Sequence, residues 1–397
     1  MNSTLNSQAG SNPSRSRLHN RQLVLQCVRE QTEAGRAQIA RTTQLSTQAV
    51  SNIIAELLTE GLLFEAGRYN SGRGLPAIQY AIHASAAVAL GIEVRSDAVF
   101  SAIVDLAGNP LATERISLSD THPENVAKVV RELYKAALLS KGVSAGSMLG
   151  TGIVLPGPIG RAGLSETGQS TLLGWENTDP HTLFSTALDT PVVIEHDTIA
   201  AVFAEHVSGA AIGLDSFAYI YFGTGIGLGV MSKGEVLRGS YGNAGELGHM
   251  VVERNGNRCA CGNQGCLETY VSRFSLHKHL AAQGIDATYG DQLNELYADK
   301  NDVMLDWLEK AAAPLAQTIG IIENLLDPQS IILGGALPDS IVDHLIDSVQ
   351  LPTGSVSNRT DRVTQRLVRG KFGRMTASLG GAGLIINELF VPRIAAS

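Results

Sequence analysis

Long hydrophobic runs are missing from this chain of 397 residues. No apolar run approaches the roughly 20 residues that a membrane-spanning helix needs. The start of the chain is polar and lacks the apolar stretch of a signal peptide. We therefore expect a soluble, cytoplasmic protein, and a chain of this length that is 44% hydrophobic can bury large cores in more than one domain.

Cysteine is scarce, and three of the four cysteines lie within residues 249–268. That window places His249, Cys259, Cys261 and Cys266 with nine, one and four residues between them. Thiolates and an imidazole form closed tetrahedral zinc shells, so the spacing predicts a zinc site. The weaker alternative is that the cysteines are buried by chance or form a disulfide. It is weaker because a loop this polar is not expected to bury three free thiols that have no ligand role. Cys27 lies among apolar residues and is expected in a core, and free thiols suit a reducing cytoplasm.

A segment with one glutamate lies at each end of the cysteine window. Residues 242–249 read Gly-Asn-Ala-Gly-Glu-Leu-Gly-His, and residues 265–268 read Gly-Cys-Leu-Glu. The whole stretch resembles the signature of the ROK family of sugar kinases and sugar-responsive repressors, Gly-x-x-Gly-Glu-x-Gly-His leading into Cys-x-Cys-Gly-x-x-Gly-Cys-Leu-Glu. The resemblance runs from Ala87 to Phe390 for a sugar-kinase-like part and from Arg17 to Ile82 for a DNA-binding part. It implies an α/β protein with an N-terminal winged helix-turn-helix followed by a two-lobed, actin-like and hexokinase-like ROK body with a structural zinc loop.

Lysine is absent from residues 1–82, which hold eight arginines and five glutamates. This stretch carries +3 and leaves −11 of the total charge of −8 to the rest of the chain. The asymmetry favours a polyanion partner at the amino-terminal end, although a solvated imbalance without a partner stays open. The predicted organisation is a disordered tail (1–16), a winged helix-turn-helix domain (17–82) and a ROK domain (83–397). In the ROK domain, lobe one comprises 86–196 plus 377–397 and lobe two comprises 197–376.

The apolar pattern of residues 18–61 predicts three helices, with Ser46 as the N-cap of the third. Two short helices joined by a tight turn are typical of a helix-turn-helix, whose second helix enters the major groove. Two apolar segments around residues 67–74 predict a β-wing. Exposed polar residues occur in any three-helix module, so the face alone is weak, but the likeness to ROK repressors favours DNA contact. The predicted DNA-binding residues are Thr47, Gln48, Ser51, Asn52, Arg68 and Arg73.

Glycine is missing from one place where the family resemblance leads us to expect it. Active ROK kinases carry Asp-x-Gly-Gly-Thr after the first strand of the body, but this chain has Glu93-Val-Arg-Ser-Asp97 there. Side chains at those positions prevent a close approach of the backbone to a phosphate, so we expect no ATP binding and no enzyme activity. The glycine motifs at residues 223–227 and 333–335 are retained, and we interpret them as inherited elements of the fold.

The sugar site of the family is better preserved. Residues 195–201 resemble the family motif Glu-Asn-Asp-Ala-Asn-Ala-Ala, which places Asp197 where kinases have the catalytic base and His196 where they have a sugar-binding asparagine. The alternatives without ligand contact are that Asp197 caps the end of a strand and that Glu246 is a surface carboxylate. Carboxylates suit sugars because they accept hydrogen bonds from neighbouring hydroxyls. The predicted sugar-binding residues are Gly157, His196, Asp197, Glu246, His249 and Glu268.

The resemblance to ROK repressors, together with these patterns, implies a sugar-responsive repressor of carbohydrate uptake or catabolism genes, with operator DNA and a monosaccharide or its phosphate as expected partners. A homodimer or tetramer is expected from the family likeness and from the two-fold symmetry of paired half-sites. Two alternatives stay open: an ATP-dependent sugar kinase with an accessory DNA-binding domain, and a body that binds a transport protein. The sequence leaves open the sugar, the operator, and the choice between repression and activation.

Overall fold

The computed structural model describes residues 13–69, 77–140, 143, 145–157, 172, 174–287 and 290–390. Its contacts divide the chain into two units. The first unit contains the residues up to 88, residues 105–107 and the residues from 386 onward, and the second contains residues 89–104 and 108–385. Within the described residues, no helix combines the length and the apolar character that crossing a membrane requires.

The first unit begins with three helices and a small sheet. The elements are α1 (Pro13–Gln31), β1 (Ala34–Gly35), α2 (Arg36–Thr43), α3 (Thr47–Thr59), β2 (Leu63–Tyr69) and β3 (Ala77–Ile82). The strand order is β1-β3-β2, and β2 and β3 form an antiparallel hairpin with a bulge between Glu65 and Gly67. Apolar residues spaced three or four apart on α3, such as Val50 and Ile54, are fully buried, which is why this segment forms a helix.

Helix α1 starts earlier than the sequence indicates. The expected disordered tail, residues 1–16, overlaps a helix that begins at Pro13. Proline is favoured at the first position of a helix, because its missing N–H has no partner there and its φ angle is already helical. The prediction was therefore wrong for residues 13–16, and residues 1–12 lie outside the described residues.

The first sheet of the body has the order β6-β5-β4-β7-β8. Its strands are β4 (Val88–Val94), β5 (Ala98–Asp105), β6 (Pro110–Ser117), β7 (Met148–Leu155) and β8 (Val192–His196). Helices α4 (Pro123–Leu139), α5 (Pro180–Ala187) and α6 (Asp197–Ser208) connect or follow these strands. Every residue of β4 and β5 is buried, which explains their nearly continuous apolar sequence.

The second sheet has the order β11-β10-β9-β12-β13. Its strands are β9 (Phe217–Phe222), β10 (Ile226–Ser232), β11 (Glu235–Val236), β12 (Ile331–Gly335) and β13 (Leu367–Arg369). The remaining helices are α7 (Arg273–Ala281), α8 (Gly290–Ala298), α9 (Asp302–Leu326), α10 (Asp339–Ser348) and α11 (Thr376–Phe390). Short 3-10 helices cover Ala84–Ala86, Ala145–Ser147, Leu247–His249, Leu267–Thr269 and Gly373–Met375.

The two sheets repeat one topology. In each, the first three strands in the sequence lie side by side, and the last two strands are parallel to each other. The pairs β5–β6 and β10–β11 are antiparallel. This duplication agrees with the two-lobed α/β body expected from the sequence.

Glycines let α11 approach the first sheet at backbone contact. A Cβ atom added at Gly91 of β4 would lie 1.8 Å from the carbonyl oxygen of Ser378, and one at Gly152 of β7 would lie 2.0 Å from that of Gly381. On the other side of the helix, a Cβ at Gly380 would lie 1.8 Å from the oxygen of Ala200 in α6. The helix is therefore wedged between α6 and the sheet with no room for side chains at these positions.

Candidate functional site

The predicted grouping of one histidine and three cysteines is present in the second unit. His249 ends a 3-10 helix, Cys266 immediately precedes another, and Cys259 and Cys261 lie in the turn between them. The ligand atoms of all four residues lie within 4.8 Å of one another. Isolated bridges between Val251 and Cys266 and between Arg258 and Gln264 hold the loop closed. This cluster can hold a metal ion.

The spacing of the ligand atoms fits a tetrahedral ion. Bonds of about 2.3 Å to sulfur and about 2.0 Å to nitrogen place two sulfur ligands about 3.8 Å apart and a sulfur and a nitrogen about 3.5 Å apart. Cys261 Sγ lies 3.7 Å from Cys266 Sγ, and Cys259 Sγ lies 3.6 Å from His249 Nδ1. These two separations fit the distances between ligand atoms in a tetrahedral metal site.

A positive φ angle at Gly265 makes the loop possible. Gly265 has φ +80°, and a Cβ there would lie 1.6 Å from the carbonyl oxygen of Glu253. A larger residue would strain the backbone and push apart the segments before and after the cysteines. The glycine therefore fixes the approach of Cys266 to the cluster.

Two carboxylates lie beside the cluster. Glu268 Oε1 accepts a hydrogen bond from Cys259 Sγ at 2.9 Å and lies 3.6 Å from His249 Nδ1. Glu246 Oε2 lies 3.8 Å from His249 Nε2, on the other side of the ring, and its side chain is 59% exposed. The ring of His249 thus joins the cluster to both carboxylates.

Asp197 faces the same region from the start of α6. Its Oδ1 accepts from the N–H of Thr198 at 2.7 Å. A Cβ atom added at Gly223 would lie 3.5 Å from Asp197 Oδ2, and one at Gly225 would lie 3.0 Å from Glu268 Oε2. The turn after β9 therefore lies against both Asp197 and Glu268, although they are far apart in the sequence.

The surroundings of Asp197 disfavour its charge. Burial raises the pKa of Asp197 to about 7, and the negative charges of Glu93 and Glu246 act in the same direction. The N–H of Thr198 and the charge of Arg95 oppose this rise. A carboxyl group with a pKa near neutrality can change its protonation state around pH 7.

His196 and Gly157 are neighbours. Gly157 is exposed, and a Cβ added there would lie 3.2 Å from His196 Nδ1. That nitrogen is buried and has no hydrogen-bond partner among the described residues. Residues 158–171 follow Gly157 in the chain and lie outside the described residues. His196 therefore offers a hydrogen-bonding atom that the described residues do not use.

A buried ion pair fills the turn where the family resemblance placed a degenerate phosphate loop. Arg95 donates to both oxygens of Glu93, from Nε at 2.6 Å and from Nη2 at 2.7 Å. Tyr221 Oη of β9 donates to Glu93 Oε1 at 2.5 Å, and the Arg95 guanidinium lies 4.1 Å from the centre of the Phe100 ring. The side chain of Arg95 was expected to occupy this space. The network that Glu93 and Tyr221 form with it was not predicted, because these residues lie on different strands, β4 and β9, and only the alternation of side chains along each strand indicates that they face the same side.

In the first unit, the predicted DNA-contacting side chains are solvent-accessible. Thr47, Gln48 and Asn52 are exposed on α3, and Ser51 is half-buried. Ser46 caps this helix as predicted, accepting from the N–H of Ala49 at 3.2 Å. Arg68 is exposed on β2, whereas Arg73 and the expected wing tip lie outside the described residues.

A model described as the ROK family matches residues 89–388. The xylose repressor of Bacillus subtilis (strain 168) is 27% identical over 371 residues, which is 93% of this chain and 95% of that protein. A crystal structure of a ROK family transcriptional regulator, described as a homologue of the Escherichia coli MLC protein, has a TM-score of 0.72 at 23% identity and covers 95% of this chain and 97% of its own.

A kinase structure matches a smaller part of the chain. The ROK hexokinase from Thermus thermophilus has a TM-score of 0.58 at 25% identity and covers 99% of its own chain but only 76% of this one. The matches to full-length regulators therefore include a region that the kinase match leaves out. They also confirm the mixed α/β fold predicted from the sequence.

Proposed function

This chain belongs to the ROK family, and from that premise we propose that it is a sugar-responsive, DNA-binding repressor of genes for carbohydrate uptake or catabolism. The observation that supports this proposal is the share of the chain that each match covers. The match to a protein named xylose repressor spans 93% of this chain, whereas the match to a hexokinase spans 76%. The difference of 17% is about 67 residues, close to the length of the span from Pro13 to Ile82 that contains the three helices and the hairpin.

Operator DNA is the proposed partner of the first unit. The side chains of Thr47, Gln48, Ser51 and Asn52 have the donors and acceptors that read base edges in the major groove. Exposed Arg68, together with Arg73 on the expected wing, supplies charge for phosphate or minor-groove contact. Pairing of two such units in a homodimer or tetramer would match paired half-sites on the DNA.

A monosaccharide or its phosphate is the proposed effector. Asp197, Glu246 and Glu268 provide acceptors for neighbouring hydroxyl groups around the turn after β9, with His249 beside them. His196 Nδ1, next to Gly157, has no hydrogen-bond partner among the described residues and is a further position that can bind the sugar. Sugar binding would favour one arrangement of the body over another and so shift the population that binds DNA.

Zinc is the proposed structural metal, held by His249, Cys259, Cys261 and Cys266. Binding requires loss of the thiol protons, including the proton that Cys259 donates to Glu268. The ion would fix the His249 ring through Nδ1 and leave Nε2 directed at Glu246. Its proposed role is to hold the two carboxylates in register for the sugar.

We propose no catalytic role for the chain. Arg95 and Glu93 fill the turn that in ROK kinases cradles phosphate, and their bidentate pair leaves no glycine backbone exposed there. The alternative, an ATP-dependent sugar kinase, is favoured by one observation: Asp197 has a pKa of about 7, which suits a general base. ATP-dependent phosphorylation of a monosaccharide in a coupled assay would establish that alternative.

Fluorescence anisotropy with promoter DNA from the protein's own locus tests the proposal. We expect specific binding that one member of a panel of monosaccharides and their phosphates, including xylose, releases. The matched variant Gln48→Ala should weaken specific binding and leave sugar binding intact. Absence of specific DNA binding, with the sugar still raising thermal stability, would refute the repressor function. A cytoplasmic location follows from the proposed role.

A further inference from the structure

The turn between β4 and β5 is fixed to the second sheet by contacts that the proposed function does not use. Ser96 Oγ lies 3.4 Å from Thr224 Oγ1, in the turn after β9. Arg273 Nη2, at the start of α7, donates to Asp97 Oδ1 at 3.1 Å. The side chains of Arg273 and Asp97 are only 9% and 13% exposed, so water and salt screen this ion pair weakly.

Arg273 is also the first residue of the helix that follows the cysteine loop. The cap residue of α7, Ser272, donates from Oγ to the carbonyl oxygen of Glu268 at 2.6 Å. Ser272 and Ser275 form a reciprocal capping box. Trp307 Nε1 donates to Ser275 Oγ at 3.1 Å. The first turn of α7 is therefore hydrogen-bonded to the end of the cysteine loop through Glu268.

The second contact of the turn leads back to the same helix. The N–H of Phe274 donates to the carbonyl oxygen of Thr224 at 3.0 Å. Gly225, the next residue, lies against Glu268 Oε2. Both Ser96 and Asp97 thus contact groups whose positions depend on the first turn of α7 and on Glu268.

We propose that Arg273 is a positioning residue that transmits the state of the cysteine loop to the β4–β5 turn of the first sheet. The inference rests on the proposed metal site and concerns its regulation, and it requires neither DNA nor a sugar. If the Arg273–Asp97 ion pair only stabilised the fold, it would be equally strong in the metal-bound and the metal-free state of the cysteine loop. It would then transmit no change from the loop to the turn. Transmission through Arg273 therefore requires that metal binding at the cysteine loop change the hydrogen exchange or the mobility of the β4–β5 turn.

Hydrogen exchange measured by mass spectrometry on the full-length protein, with and without one equivalent of Zn²⁺, tests this proposal. In the wild type, we expect slower exchange both in residues 249–268 and in residues 92–100, by about fivefold or more, the lower end of typical coupling between sites. Arg273→Gln should keep zinc and the protection of the cysteine loop but lose the effect in residues 92–100. Arg273→Lys, which keeps the charge, should restore part of it.

The matched control is Arg359→Gln, which breaks the exposed pair between Arg359 and Asp361 and should leave both regions protected by zinc. Asp97→Asn keeps the side-chain shape and repeats the test from the other partner. The proposal is overturned by equal zinc protection of residues 92–100 in Arg273→Gln, by no such protection in the wild type, or by absence of zinc binding. Failure of the repressor function would instead appear as lost DNA binding in the anisotropy assay.

Discussion

Asp197 is the side chain whose ionisation the site controls most clearly. Its pKa is raised to about 7, first by burial and then by Glu93 and Glu246. Between about pH 4 and pH 7, the carboxyl group of Asp197 therefore keeps its proton in the folded chain. In the unfolded chain, where its pKa is near ~4, the same group has lost the proton. The stabilisation is fully present below the unfolded pKa and is lost as the pH rises through about 7.

We expect effector binding to strengthen with pH because the ionised carboxylate accepts hydrogen bonds from sugar hydroxyls. For a pKa of about 7, the ionised fraction and the affinity rise roughly tenfold between pH 6 and pH 8. Isothermal titration calorimetry with the identified effector measures this change. Asp197→Asn should bind more weakly, with a flat profile. A steep profile in that variant would assign the pH dependence to another group.

Arg95 is the second residue with a sharp prediction. Arg95→Met leaves the buried Glu93 carboxylate with Tyr221 as its remaining side-chain donor, and removal of one partner from a buried ion pair costs about 3–5 kcal/mol. Urea denaturation should show this loss in the free energy of unfolding. The control Arg359→Met, at an exposed pair, should leave stability unchanged. Equal stability of both variants would contradict the structural role of the network.

At the scale of elements, the cysteine loop is tested by removing one ligand. Cys261→Ala leaves three donors and should abolish stoichiometric zinc binding, measured by elemental analysis of the purified protein, together with the response to sugar. The control is Cys27→Ala, which removes the buried cysteine of α1 and should leave metal content unchanged. Normal sugar response in a zinc-free Cys261→Ala protein would refute the proposed role of the metal.

Helix α11 offers a matched pair of glycines one turn apart. Gly380→Ala places a methyl group 1.8 Å from a carbonyl oxygen of α6 and should destabilise the body severely, because backbone must move. Among the described residues, no atom outside the adjoining helix backbone lies within 4 Å of a Cβ added at Gly383, so Gly383→Ala should raise stability by up to about 1 kcal/mol through helix propensity. Thermal unfolding compares the two variants. Equal effects would contradict the packing described for this helix.

Features formed by neighbouring residues in the sequence were predictable, and features formed by distant ones were not. The four residues of the cysteine cluster lie within one short window, and Ser46 directly precedes the helix that it caps. Arg273 and Asp97, by contrast, are 176 residues apart, and no pattern links them. Such pairs depend on the packing of two sheets.

Strand β6 lacks a signal in the sequence for a different reason. Seven of its eight residues are exposed, and the remaining one is half-buried. A strand at the edge of a sheet with neither face in the core has no apolar alternation to reveal it. Its pairing with β5, from Ala98 with Ser117 onward, defines it instead.

For the whole molecule, the separation of charge predicts how the proposed DNA binding responds to salt. The first 82 residues carry +3 and the rest carries −11, so the net charge favours phosphate contact by the first part. The logarithm of the DNA affinity should fall linearly with the logarithm of salt concentration, and Arg68→Ala should reduce the slope by about 1, the value for one phosphate contact. Anisotropy titrations at several salt concentrations measure it. Asn52→Ala should instead change sequence preference with the slope preserved.

The wedged position of α11 has a consequence for synthesis. Strands β4 and β7 end by Leu155, but the helix packed against their glycines begins at Thr376, about 220 residues later. At a translation rate of about 5–20 residues per second, the ribosome needs roughly 10 to 45 seconds to make the intervening chain. During that interval α11 cannot cover the backbone face around Gly91 and Gly152, and sheet surface left exposed in a partly synthesised chain is prone to aggregation.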